Sequence, residues 1–146
     1  MVLTAIDISE IRNSSQFSVF NKEIIKFSSL TLISENYNED YVNVGDFSLL
    51  IDNQDLNIIS NNVSNFTITG KTNNLFAGFY AGVGKFNGEN LMAQNVNLFH
   101  RGINEIIVSP TQQLTGEIRS SGNVISVNKP PIIKVKEFYS GKLIFK

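Results

Sequence analysis

Few residues of this chain are equipped for chemistry, and their spacing limits what they can do. Asp52 and Asp55 are close in sequence, as are Glu39 and Asp40. A cluster of carboxylates can hold Ca²⁺ and, beside a basic residue that takes a proton, cleave an acidic polysaccharide. The one histidine, His100, cannot build a histidine-rich metal site. The absence of cysteine removes disulfides, thiolate metal sites and a cysteine nucleophile. Gly82-Val83-Gly84 with Gly88 superficially matches a phosphate loop. Its spacing is not the dinucleotide fingerprint and no helix signal follows it, so these read as turn glycines. The aromatic residues remain: Phe79, Phe99 and Phe138 with Arg119, and beside them Tyr80, His100 and Tyr139, all recurring at nearly constant steps along the chain.

Composition narrows the classes further. The chain has 146 residues, enough for one domain with a real core. Its net charge of −1 argues against a uniformly basic nucleic-acid binder. No apolar run approaches the roughly 20 residues of a membrane span. The first residues, Met1 to Glu10, lack the basic start and apolar stretch of a signal peptide, so export requires that a signal has been removed. Charge is uneven: residues 1–60 hold nine acidic and three basic side chains, residues 61–146 four acidic and nine basic. Asparagine occurs 19 times.

The elements that position these residues repeat. Five pentapeptides align: Glu23-Ile24-Ile25-Lys26-Phe27, Asn43-Val44-Gly45-Asp46-Phe47, Asn62-Val63-Ser64-Asn65-Phe66, Gly82-Val83-Gly84-Lys85-Phe86 and Gly102-Ile103-Asn104-Glu105-Ile106. Gly122 and Gly141 continue the series. Between these corners, apolar and polar residues alternate with period 2 and are rich in Val, Ile and Phe, the pattern of strands. A step of about 20 with short strands describes one coil of a parallel β-solenoid. Stacking coils at about 4.8 Å places like residue over like. Phe27, Phe47, Phe66, Phe86 and Ile106 are then one interior stack, and corner asparagines bond coil to coil. An antiparallel β-sandwich explains the alternation but not the constant step.

Projected onto coils of this constant length, Asp55 is followed by Leu75 and Asp52 by Thr72, so no carboxylate column forms. Lys26 with Asp46 and Lys85 with Glu105 become cross-coil ion pairs. One column reads Ile59, Phe79, Phe99, Arg119, Phe138; its neighbour reads Ser60, Tyr80, His100, Ser120, Tyr139. Adjacent columns face opposite ways. Either Phe79, Phe99 and Phe138 form an exposed stripe with Arg119, suited to a partner subunit or a sugar face, or they stack inside and Tyr80, His100 and Tyr139 face solvent. His100 itself reads as a packed or surface side chain rather than a ligand.

The stretch from about Leu56 to Lys146 resembles the bacterial "putative auto-transporter adhesin, head GIN domain" family. The resemblance rests on Ile68-Thr69-Gly70-Lys71, Ala81-Gly82-Val83-Gly84-Lys85-Phe86, Arg101-Gly102-Ile103-Asn104, Leu114-Thr115-Gly116-Glu117-Ile118, Ser121-Gly122-Asn123-Val124, Lys129-Pro130-Pro131 and Ser140-Gly141-Lys142-Leu143. It implies a right-handed parallel β-helix, exported to the cell envelope, with no catalytic residues.

The expectation is an all-β, single-stranded right-handed parallel β-helix (solenoid) with about 20 residues per coil. It forms one domain over 1–146, with a possible cap and first coils in 1–40 and regular coils in 41–146. The expected function is non-catalytic: an extracytoplasmic binding or adhesion module without cofactor or metal. Its expected partners are a surface glycan, a protein ligand or a second copy, and not nucleic acid. The alternative is a self-assembling scaffold that stacks head to tail through its oppositely charged halves, as bactofilin-like proteins do.

Overall fold

The structure, a computed structural model, describes residues 1–35 and 44–146. Among them are ten strands and no helix: β1 (Glu10–Arg12), β2 (Val19–Phe20), β3 (Ser29–Ser34), β4 (Phe47–Ser60), β5 (Asn65–Phe79), β6 (Lys85–His100), β7 (Ile106–Ile118), β8 (Val124–Ser126), β9 (Ile132–Glu137) and β10 (Leu143–Phe145). Every pairing between these strands is parallel, which excludes the sandwich. The sheet runs β1-β3-β4-β5-β6-β7-β8-β10, with β2 on β4 and β9 on β7. The long strands β4 to β7 each supply two arms of a coil. On β4 the first arm carries β2 and the second carries β3; on β7 the first carries β8 and the second β9.

Alternation drives the winding. Along β4, buried Phe47, Leu49 and Ile51 alternate with exposed Ser48 and Leu50. A strand of this pattern cannot bury its apolar face alone, so the next coil covers it. The first arm builds the column Val19–Phe47–Phe66–Phe86–Ile106–Val124–Leu143. Its Phe47 and Phe66 rings stack with centroids 4.8 Å apart and planes 5° apart, matching the coil spacing. The second arm stacks Leu30–Leu56–Leu75–Val96–Leu114–Ile133 and Leu32–Ile58–Ala77–Leu98 inside. Phe27 does not join the first stack. Val19 takes its place, because Ile25 bridges Ile51 and carries the chain past the level of Phe47 before Phe27 is reached.

The coils are not all the same length. In the column Ser60–Phe79–His100–Ile118–Glu137, the step from Phe79 to His100 is the longest and that from His100 to Ile118 the shortest. Register breaks between Thr67 and Gly70, between Asn87 and Met92 and between Ala93 and Asn95 absorb the difference. The corner glycines Gly82, Gly102 and Gly122 therefore keep an even step while the second arm slides by one or two positions. The Glu10–Arg12 segment, ambiguous in sequence, is a strand on Thr31–Ile33.

Asparagine clamps the coils together as its abundance implies. Asn74 Nδ2 donates to Asp55 Oδ1 at 2.9 Å, and Asn95 Nδ2 donates to Asn74 Oδ1 at 2.9 Å. Asn128 Nδ2 reaches Ser109 Oγ and Asn104 Nδ2 reaches the Val83 carbonyl. The two expected ion pairs do not form among the described residues. Asp46 accepts instead from the backbone and side-chain nitrogens of Asn65, and Lys85 and Glu105 remain exposed without a bridge.

Candidate functional site

The outward side of the second arm gathers aromatic and charged columns on one face. Three columns point out, separated by inward ones as the pleat requires. They read Asp55–Asn74–Asn95–Gln113, then Asn57–Phe76–Asn97–Thr115–Lys134, then Ile59–Gly78–Phe99–Glu117–Lys136. At the corner beyond, the backbone N–H groups of Tyr80, Arg101, Arg119 and Phe138 donate to Ser60, Phe79, His100 and Ile118, which sets these four one above the next.

Gly78 lets the rings close over the strand. A Cβ there would lie 2.8 Å from Phe76 Cε1 and 2.8 Å from Tyr80 Cε2, so both rings lean across the bare backbone. Tyr80 then stacks on Phe99 of the next coil, with centroids 5.1 Å apart and planes 27° apart. Phe76, Tyr80 and Phe99 thus form one aromatic platform. A shallow groove of about 390 Å³ runs from this platform to Glu117, Lys134 and Lys136. A second groove of about 160 Å³ shares Phe76 and Asn97 and continues across Asn57, Asn74 and Thr115.

The charged end is organised by Arg119. Its Nε donates to Glu117 Oε2 at 2.5 Å, and its guanidinium sits 4.1 Å from the centre of the Phe138 ring. The Arg119 hydrogen bond holds the Glu117 carboxyl below the usual carboxylate range, and Lys136 adds attraction. Glu117 is therefore ionised at neutral pH.

The residues singled out from sequence divide between core and surface. Phe79 and His100 are fully buried and pair with each other, because the step between them is one longer than the regular repeat. Phe79 packs edge-on to Phe66 and His100, at 5.9 and 6.2 Å. Phe99 points out, half-buried, beside exposed Tyr80. Arg119 and Phe138 meet at the corner, and Tyr139 stands exposed after Phe138. The expected stripe Phe79–Phe99–Phe138 is therefore not one column, and neither is Tyr80–His100–Tyr139. Phe76 and Gly78 were not singled out, because a constant coil length assigns both to inward columns. The strict alternation of β5 from buried Leu75, Ala77 and Phe79 would have placed them outside. Asp52 pairs with Lys71 at 3.7 Å, and Glu39 and Asp40 lie outside the described residues. Among the described residues, no three His, Asp or Glu side chains converge to hold a metal ion.

The family described as "Putative auto-transporter adhesin, head GIN domain" matches residues 1–130. The chain belongs to this family. A solved structure from Bacteroides fragilis, described as a "putative adhesin", is 20% identical with a TM-score of 0.78. The match covers 88% of this chain and 56% of that one, so the GIN-domain chain spans little more than half the length of that neighbour. The shared feature is the fold. No curated protein matches the chain.

Inside this GIN domain, His100 makes a pH-sensitive core residue. Its Nε2 meets the Asn104 carbonyl at 2.8 Å, while Nδ1 is buried without a partner among the described residues. Burial lowers its pKa from the ordinary 6.5, outweighing the Asn104 hydrogen bond. Below pH 6.5 the unfolded chain takes up a proton that the folded chain resists, so stability is complete above that pH and falls as pH drops toward the lowered folded value. Urea midpoints measured down to the edge of the carboxylate range are expected to show this slope, and His100→Leu to lack it. An unchanged slope in His100→Leu would assign the titration elsewhere.

Proposed function

We propose that this chain is a non-catalytic adhesion module of the cell envelope, which holds an extracellular ligand on the outward face of its second arm. The observation that carries the reading is the platform of half-buried Phe76 and Phe99 with exposed Tyr80, on an outward face whose other positions are mostly amides, hydroxyls and charges. A chain in water gains nothing by leaving such rings together outside, and exposed aromatic patches mark interaction sites. The rigid coils beneath hold the rings in place before the ligand arrives, which limits the entropy lost on binding. The family description and the described neighbour agree with an adhesive role and an extracytoplasmic location.

The test is binding of the purified chain to immobilised surface polysaccharides and matrix proteins. Phe99→Ser and Phe76→Ser are expected to weaken capture at least tenfold while circular dichroism and the urea midpoint stay near those of the parent. Both rings lie outside the core, so their loss does not open a cavity. Equal capture by parent and variants would remove the platform from the binding face. Phe79→Ser cannot serve as such a test, because Phe79 is fully buried in the core.

A further inference from the structure

We infer that the ligand of this face is an oligosaccharide bearing carboxylates, laid across the coils with its sugar rings on the Phe76–Tyr80–Phe99 platform and its acidic groups toward Lys134 and Lys136. The inference rests on the adhesion reading and adds the ligand class to it.

The two ends of the groove ask for different chemistry on one molecule. At one end, three rings offer flat apolar faces, flanked by the exposed amide of Asn97 and the hydroxyl of Thr115. Sugars present apolar C–H faces rimmed by hydroxyls, and such a mixed surface fits rings beside amides. At the other end the charge is positive. Lys134 and Lys136 stand two apart on β9 with their side chains exposed on the same side. Lys136 faces Glu117 across the ladder, but Lys134 faces Thr115 and has no ion-pair partner among the described residues. Exposed Arg101 occupies the same corner one coil before Arg119. Among the described residues that line this groove Glu117 is the one acid, and Arg119 already binds it. An incoming anion therefore meets an excess of cations.

The same geometry disfavours other macromolecules. The second-arm strands beneath the platform, β4 to β7, are already paired on both sides, so a peptide cannot add there as an extra strand. A helix docking in a groove needs an apolar channel of several turns, whereas this one becomes charged within a few residues. Nucleic acid would be steered by a broad basic surface, but the chain carries a net charge of −1, and the groove's basic residues are Lys134 and Lys136 at one end.

The test uses the intact chain and four probes: polygalacturonate, its fully methyl-esterified form, poly-L-glutamate and duplex DNA. Polygalacturonate and its ester share a backbone and differ in the carboxylate charge. The expected result is binding of polygalacturonate that is at least tenfold tighter than that of the ester, the polypeptide or the DNA. Lys134→Gln with Lys136→Gln should reduce it to the level of the ester, and Phe99→Ser should abolish both. Binding of the ester as tight as the acid, still lost in Phe99→Ser, would overturn the carboxylate inference and leave the adhesion reading standing. Poly-L-glutamate or DNA bound as tightly as the uronate would overturn it as well, since plain polyanion attraction would then suffice. No binding of either sugar polymer overturns the inference. If the surface-polymer and matrix-protein panel also shows no Phe99-dependent capture, the adhesion reading fails with it.

Discussion

Phe79→Ala is expected to lose about 3–5 kcal/mol of folding stability, the range for deleting a buried aromatic ring. Phe79 is fully buried where the two arms meet the corner. It contacts Phe66 edge-on, Phe86 at 6.4 Å and His100 at 6.2 Å, so it ties its own coil to the next. The coils around it cannot collapse into the space, because each is fixed by backbone ladders to its neighbours. Against a total stability of about 5–15 kcal/mol for a domain, such a loss approaches unfolding. Urea denaturation followed by circular dichroism measures it. A loss under about 1 kcal/mol, well below the range for a buried ring, would mean that Phe79 is not core.

Gly122→Ala is the second large effect, about 3 kcal/mol or more, through a backbone clash that nothing can relieve cheaply. A Cβ on Gly122 would run into the Asn104 carbonyl oxygen and sit 2.6 Å from that of Gly102 and 2.5 Å from His100 Nε2. Two of these are main-chain atoms of the coil below. Gly122 N–H also donates to the Gly102 carbonyl at 3.2 Å, so the corner cannot move outward without losing that bond. Ser121→Ala, on the exposed neighbour, is the control and should stay within about 0.5 kcal/mol. Thermal melts of the pair check both. Equal melting temperatures would show that the corner has slack.

These two positions also mark how much of the molecule the sequence revealed. The corner glycines Gly82, Gly122 and Gly141 pass so close to carbonyls of the preceding coil that a Cβ has no room, so steric need writes itself into spacing. The first-arm stack Phe47–Phe66–Phe86–Ile106 was legible for the same reason. The second arm was not, because bulges in β5 to β7 add or remove a residue between corner and arm. One residue of slip exchanges inside for outside. That slip turned Phe79 and His100 inward and brought Phe76 and Gly78 to the outward face. Phe99, Arg119 and Phe138 read from sequence as a stripe with Phe79, and Tyr80 as facing the other way, but their true neighbours depend on pairings between coils that no local pattern encodes. Phe27 shows the same limit at the other end, where the coil bearing Ile25 does not follow the regular step.

The register between β5 and β6 sets the platform outside and Phe79 with His100 inside. The chain has no cysteine, so paired cysteines can report register on a clean background. Asn74 and Asn95 are direct partners, and their side chains already meet at 2.9 Å. Neighbouring strands about 4.8 Å apart place such a pair within the span of a disulfide. Asn74→Cys with Asn95→Cys is predicted to oxidise rapidly within the monomer, while Asn74→Cys with Gln94→Cys, the pair that a constant coil length would align, stays reduced under the same conditions. Rapid closure of the Asn74–Gln94 pair and failure of the Asn74–Asn95 pair would contradict the register, and the binding face built on it would have to be abandoned.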